Sequence, residues 1–294
     1  MDQHQQAFVI DSSEAESLAK ASNLTLLHLL PTLLKPAQAL ARPPISNFHV
    51  AAVGLGSSGR VFIGVNLEFP GLPLHHSVHA EQFLITNLAV HSEPSLQALA
   101  VSAAPCGHCR QFLQEIRNAP DLQILITDPD SNSESNAAFK SLTQLLPDRF
   151  GPFDLLDTTK AKLLLEPRHN GLTVAKSFAG DSQNLILEAL DAANKSHAPY
   201  SKCPSGVALV DDQGRVFKGS YMESAAYNPS LGPVQAALVA YVAAGGGGYE
   251  RIVGGVLMEM EDAVVKQEGT ARLILELISP ECEFLVVHCN QFAN

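Results

Sequence analysis

The chain has 294 residues, 46% apolar and 17% charged, so it can bury a sizeable core and is not globally disordered. Lys and Arg number 19 against 30 Asp and Glu, and the net charge of −11 offers no footprint for nucleic acid and disfavours anionic membranes and highly phosphorylated ligands. Five cysteines are too few for a disulfide scaffold, no run reaches the roughly 18 apolar residues of a membrane span, and Met1 to Lys20 fits neither a secretory signal nor a transit peptide. The expectation is a soluble, cytoplasmic α/β protein, long enough for two domains of about 150 residues.

Ser13 to Leu40 reads as helical, interrupted by Pro31 and Pro36. Val50 to Leu55 and Val61 to Val65 read as a hairpin turning at Gly56-Ser57-Ser58-Gly59. Ala80 to Val90 then reads as a helix, Leu99 to Ala104 as a buried strand, Cys106 to Arg117 as a helix and Leu122 to Thr127 as a strand. Alternation at these lengths implies a sheet covered by helices. Asp128 to Asn136 is acidic, polar and turn-rich, and Leu156 to Gln183 lacks periodicity, as a linker does. A second hairpin follows, Val207 to Val210 and Val216 to Tyr221 around Asp211-Asp212-Gln213-Gly214. Gly245 to Gly248 reads as a helix-to-strand loop, since it lacks the Lys and Ser/Thr of a phosphate loop.

The two hairpins are copies. Laid over Pro199–Glu223 at a constant shift of 155, Pro44–Glu68 matches at eight of 25 positions without a gap, where average composition gives about one or two. Two copies at a domain-sized period mean a tandem duplication, not a solenoid. The expected boundaries are an N-terminal helical segment at 1–40, a first domain at 41–155, a linker at 156–186 and a second copy at 187–294.

Two short segments carry chemistry, His79-Ala80-Glu81 and Pro105-Cys106-Gly107-His108-Cys109. A Cys-x-x-Cys pair alone is ambiguous between zinc, thiol redox and chance. Here it opens a helix after the third strand, whereas a thioredoxin-like pair follows the first. Free N–H groups at a helix start favour thiolates, and two thiolates with one neutral imidazole balance Zn²⁺ and leave one position open. Among the candidate third ligands, His108 lies between the cysteines and points away, and His75 and His76 read as rim or surface residues. His79 starts a helix two residues before Glu81. A carboxylate there has no purpose in a closed structural site, but in a catalytic one it manages protons.

The pairing of H-A-E with P-C-x-x-C 24 residues on resembles the zinc-dependent cytidine deaminases. The runs Pro44–Phe48, Asn66–Phe69, Val78–Gln82, Pro105–Gln111 and Phe150–Pro152, with Pro199–Ser201 and Tyr227–Pro229 in the second copy, resemble the two-domain, homodimeric type found in plants and bacteria. That resemblance implies a cytidine-deaminase-like three-layer fold, a mixed sheet between helices. It implies one zinc per chain held by His79, Cys106 and Cys109, with Glu81 as the proton shuttle. It places Asn66 and Glu68 on the ribose hydroxyls, Phe48 against the pyrimidine, and Ala80 and the Ala104 carbonyl beside the substrate. Two apart on a strand, Asn66 and Glu68 share a face. The implied reaction is hydrolytic deamination of cytidine and deoxycytidine for pyrimidine salvage, with a nucleoside as partner and neither nucleic acid nor membrane.

The second copy has lost these residues. Aligned with a one-residue shift, Val234-Gln235-Ala236-Ala237 stands opposite Val78-His79-Ala80-Glu81, Tyr221 stands for Asn66, and Cys282 and Cys289 form no Cys-x-x-Cys. The resemblance implies that such a copy packs on the catalytic domain and helps close the partner subunit's site. Two rivals remain, a deaminase of nucleotides or polynucleotides on the same fold and a zinc-stabilised scaffold without catalysis. The acidic charge and Glu68 oppose the first, and Glu81 opposes the second.

Overall fold

The computed structural model describes residues 8–127, 138–174 and 182–291, so the acidic stretch Asp128 to Asn136 lies outside the described residues. The chain opens with a short strand β1 (Val9–Ile10), then α1 (Ser12–Ala21), α2 (Leu26–Leu29), a 3₁₀ turn (Leu30–Leu33) and α3 (Leu34–Gln38). The break expected at the prolines falls earlier. Asn23 adopts a left-handed φ of 54°, and the Thr25 hydroxyl accepts from His28 N to start α2. Pro36 sits in the first turn of α3, where a missing N–H leaves no hydrogen bond unmade.

The first half continues with β2 (Ala51–Gly56), β3 (Val61–Val65), α4 (Ala80–Val90), β4 (Leu96–Val101), α5 (Gly107–Phe112), β5 (Gln123–Ile126), β6 (Lys140–Ser141), α6 (Leu142–Leu145) and α7 (Pro152–Leu155). The second half holds β7 (Leu172–Thr173), α8 (Ser182–Lys195), β8 (Ser205–Asp211), β9 (Val216–Ser220), α9 (Pro233–Ala243), β10 (Ile252–Met260), α10 (Glu268–Ile278) and β11 (Glu283–Gln291). Two mixed sheets result, ordered β1-β3-β2-β4-β5-β6 and β7-β11-β10-β8-β9. Their shared parts, β3-β2-β4-β5 and β9-β8-β10-β11, have the same order, with only the last pair parallel. The duplication read from the hairpins therefore extends through both sheets.

Glycines fix the layers. A Cβ on Gly64 would collide with the Ala80 carbonyl and the Leu84 amide of α4, and one on Gly219 with the matching backbone of α9. Gly206 meets the backbone of α8 in the same way. Gly219 pairs with Val207, the neighbour of Gly206, so the two glycines point to opposite faces and α8 and α9 cover opposite sides of the sheet. Helices α4 and α9 pack against each other, and one hydrophobic core runs through both halves, from Phe83, Leu84 and Leu88 to Leu238, Val239 and Tyr241. Each such side chain contributes about 1.5–3 kcal/mol by leaving water. Among the described residues, no helix is long and apolar enough to cross a membrane.

Three boundaries differ from expectation. The strand expected at Leu99 to Ala104 is β4, ending at Val101, because Ser102 closes on Ala51 through both its amide and its hydroxyl and turns the chain out. The helix expected to reach Arg117 ends at Phe112, passes through a 3₁₀ turn (Leu113–Glu115), and turns extended at Ile116, which bridges Leu164. Helix α8 runs across the expected boundary at 186/187, and Leu172–Thr173 of the expected linker pairs with β11.

Because the close strand–helix approach leaves no room at Gly64, a Gly64→Ala substitution should destabilise the fold by about 2–3 kcal/mol or more, the range of overpacked cores. Urea denaturation of the two proteins measures it, and an unchanged midpoint would refute the approach.

Candidate active site

Two helix starts meet at the site. His79 is the N-cap of α4 and Cys106 the N-cap of α5, both in extended backbone. Cys109 lies in the first turn of α5 and is fully buried, while Cys106 is exposed. Gln82 reaches back to accept from the His79 amide at 3.3 Å, holding the start of α4 in place. Arg110 steadies the entry to α5, with Nε donating to the Pro105 carbonyl at 2.7 Å and Nη1 to the Leu145 carbonyl at 2.9 Å.

The three donors form a small triangle. Cys106 Sγ lies 3.7 Å from Cys109 Sγ, and His79 Nδ1 lies 3.5 Å from Cys106 Sγ and 3.2 Å from Cys109 Sγ. A tetrahedral ion with sulfur at about 2.3 Å and nitrogen at about 2.05 Å requires edges of about 3.8 Å and about 3.5 Å. The donor types and spacings fit zinc, and these three residues form the metal-type cluster found among the described residues. The Cys106 thiol is pulled down to about 4 by the hydrogen bond with Cys109, helped by the Cys109 and His108 amides at the start of α5. Cys109 is pushed up by the same shared proton, by burial and by the charge of Glu81.

Glu81, in the first turn of α4, is buried. Desolvation raises its pKa above the usual carboxylate range, against the opposing pull of its own backbone, the Cys109 thiol and the His79 ring. A carboxyl buried beside a metal-type triangle, with its pKa raised, marks a candidate functional group.

The residues expected at the substrate differ in exposure and engagement. Phe48 is 59% exposed, an unusual position for an aromatic ring, while Ala80 is buried and Ala104 exposed on the loop before Pro105. Asn66 and Glu68 follow the end of β3 and flank Leu67, which makes isolated bridges to Arg42 and Val78 and belongs to no regular strand. Both are engaged with the loop that carries Phe48. Asn66 Oδ1 accepts from Val50 N at 2.9 Å and its Nδ2 donates to the Phe48 carbonyl at 2.9 Å. Glu68 Oε2 accepts from Ile45 N and Ser46 N, both at 2.9 Å, and Oε1 accepts from the Ser46 hydroxyl at 2.5 Å. Burial raises the Glu68 pKa, but these bonds outweigh it and the carboxyl ends below its usual value.

The second copy repeats this clasp, with Glu223 accepting from the Tyr200 and Ser201 amides and the Ser201 hydroxyl. Its alignment with the catalytic motif needs correction. Met222 bridges Leu231 as Leu67 bridges Val78, and Pro233 opens α9 as Ala80 opens α4. The intervening loop is therefore two residues shorter, not one longer. Gly232 stands where His79 stands and Val234 where Glu81 stands, in place of the expected Gln235 and Ala237.

Sequence reasoning also missed the neighbours of the site. The second copy's loop 225–230 lies against it within the same chain: His108 Nε2 is 3.1 Å from the Asn228 carbonyl, and Gln82 Nε2 donates to the Pro229 carbonyl at 3.1 Å. Tyr227, at the crest, has a left-handed φ of 62° and is 66% exposed. The only signal in the sequence was the run Tyr227-Asn228-Pro229, which gave no partner.

Comparison with known proteins agrees with this duplicated architecture. Two models of the cytidine and deoxycytidylate deaminase zinc-binding region match residues 27–125 and 142–272. Cytidine deaminase 1 of Arabidopsis thaliana is 62% identical over 96% of this chain and 98% of its own length. Cytidine deaminase 6 of the same plant is 55% identical over 88% and 91%. A solved cytidine deaminase from Burkholderia pseudomallei is 30% identical over 42% of this chain and 98% of its own, with a TM-score of 0.37. The chain belongs to the cytidine and deoxycytidylate deaminase family, whose members bind zinc.

Replacing Cys106 with Ala removes one corner of the triangle. Purified Cys106→Ala protein should carry less than about a tenth of the zinc of the unsubstituted protein by elemental analysis, and equal zinc would remove Cys106 from the site.

Proposed function

We propose that the protein hydrolyses cytidine and deoxycytidine to uridine and deoxyuridine with release of ammonia, as an enzyme of pyrimidine salvage. The observation that carries this reading is the buried Glu81 beside the His79, Cys106 and Cys109 triangle. These three side chains would hold the zinc. When bound, it acts as a Lewis acid that brings the pKa of water from about 15.7 toward 7.

The rest falls to this chain's residues. Glu81 takes one proton from the attacking water and delivers it to N3 of the cytosine ring, then takes the proton of the hydroxyl newly added at C4 and passes it to N4, which departs as ammonia as the C4 carbonyl forms. Its raised pKa suits both duties, since a carboxyl that is too acidic would not return the proton. The Ala104 carbonyl accepts from the exocyclic amine, Ala80 lies beside the ring, and exposed Phe48 packs on it. Three of the roughly four acceptor positions of the Glu68 carboxylate are used in the clasp. The fourth is available to the 3′-hydroxyl that both nucleosides carry, and Asn66 fixes the loop beside it. A carboxylate at that position would repel an esterified phosphate, which favours nucleoside over nucleotide.

We also propose a homodimer in the cytoplasm, with residues 41–155 as the catalytic domain and a non-catalytic copy that begins with β7 and α8, inside the segment expected to be a linker. All five cysteines are free, as expected of a reducing compartment. Phe150, Phe153 and Leu155 around α7 and Leu273 and Leu277 on α10 are exposed, which supports a covered surface. Sedimentation equilibrium should return twice the 31.4 kDa chain mass, and a monomer mass at all concentrations would reject the dimer.

The chemistry is tested by Glu81→Gln with cytidine and an ultraviolet assay. Zinc content should be unchanged and turnover should fall by about 10²–10⁴, the usual worth of a general acid–base. Normal turnover would refute the role of Glu81, and no turnover by the unsubstituted protein would refute the substrate.

A further inference from the structure

Glu115 is fully buried, yet its carboxylate touches neither the metal triangle nor the first copy's core. It lies at the end of the 3₁₀ turn that continues α5, six residues after Cys109, and its backbone carbonyl accepts from Leu164 N at 2.9 Å. The side chain crosses into the second copy. Oε2 accepts from His197 Nε2 at 3.1 Å and from the Tyr200 hydroxyl at 2.7 Å, and Oε1 accepts from Ala225 N at 2.7 Å. Burial lowers the His197 pKa against the opposing pull of Glu115, and the ring meets the carboxylate through Nε2. Three donors converging on two oxygens require an acceptor-only group, and an amide in this place would turn an N–H toward one of them.

All three donors frame the loop that lies on the active site. Ala225 begins it, while Tyr200 belongs to the clasp in which Glu223 holds Ser201. Farther along, the loop's Asn228 and Pro229 carbonyls meet His108 and Gln82 beside the metal triangle. We propose that Glu115 is a positioning residue for the active site, fastening the base of the second copy's loop 225–230 so that its Asn228 and Pro229 carbonyls hold His108 and Gln82 in place beside the metal triangle. Glu115 touches no reacting atom; it acts through the loop. This inference rests on the nucleoside reading above for its substrate, and on geometry alone for the loop.

The test compares the full-length protein with Glu115→Gln and Tyr200→Phe, using hydrogen exchange by mass spectrometry on peptides covering 222–231 and kinetics with cytidine. In Glu115→Gln the loop peptide should exchange about tenfold faster and KM should rise about tenfold, the worth of a lost hydrogen bond to a charged group. Exchange of α4, zinc content and kcat should stay within about threefold of the unsubstituted protein, a split that general destabilisation does not give. Tyr200→Phe removes one donor and leaves the carboxylate paired, so it should show the same changes at about two- to fivefold, and should add nothing in the Glu115→Gln background. Unchanged loop exchange in Tyr200→Phe, or a loss confined to kcat or zinc, would overturn the proposal whether or not Glu115→Gln folds. If the unsubstituted protein leaves cytidine untouched, the nucleoside reading fails, and the exchange data still decide the role of Glu115.

Discussion

The meeting of two helix starts is the constraint on which the rest depends. His79 and Cys106 are both N-caps, and an N-cap side chain projects from extended backbone past the first free amides of its helix. Bringing two such ends within a few ångströms fixes the relative placement of α4 and α5. Gly64 holds α4 against the sheet closely enough that no side chain fits between, and Ser102 turns the chain out of β4 in time to deliver Cys106. The amides that draw Cys106 toward the thiolate belong to that same helix start. Metal affinity, Glu81 burial and strand–helix packing are therefore consequences of one geometry.

The second copy shows what survives when the chemistry is removed. Its sheet order, its close-packed Gly219 and its Glu223 clasp persist, while Gly232 and Val234 occupy the places of ligand and acid–base. The clasp thus has an architectural function apart from substrate, because it recurs where no triangle exists. In both copies it closes the loop between the first helical segment and the first strand of the hairpin. In the first copy that loop also carries Phe48.

Much of this was legible in the sequence, for identifiable reasons. The hairpins announced themselves by turn residues between β-branched and apolar runs, and α4 by an apolar stretch with no glycine or proline. The metal triangle was readable because its spacing is set by local backbone, two cysteines around one helix start and a histidine at another. Long-range features were not. A two-residue loop contraction shifted the second copy's alignment, since identity there is too sparse to locate a gap. Glu115 carries no local signal in the sequence, because its three partners lie more than 80 positions away. Asn66 and Glu68 were read as sharing a strand face, but no regular strand continues there, and their engagement with the loop at 45–50 depends on how that loop folds back.

The continuous core through α4 and α9 has a consequence for how the molecule comes apart. Helix α4 is buried along most of its length, including its polar Gln82, Thr86 and Asn87, and α9 is buried almost throughout. Neither helix has a wet face to fall back on, so parting the halves exposes two apolar cylinders and several buried polar groups together. Denaturation then has no stable half-molecule at which to pause. The inherited duplicate, though chemically silent, has become a permanent part of the folding unit, and a gene truncated between the copies would encode a chain with an open seam in place of a smaller enzyme.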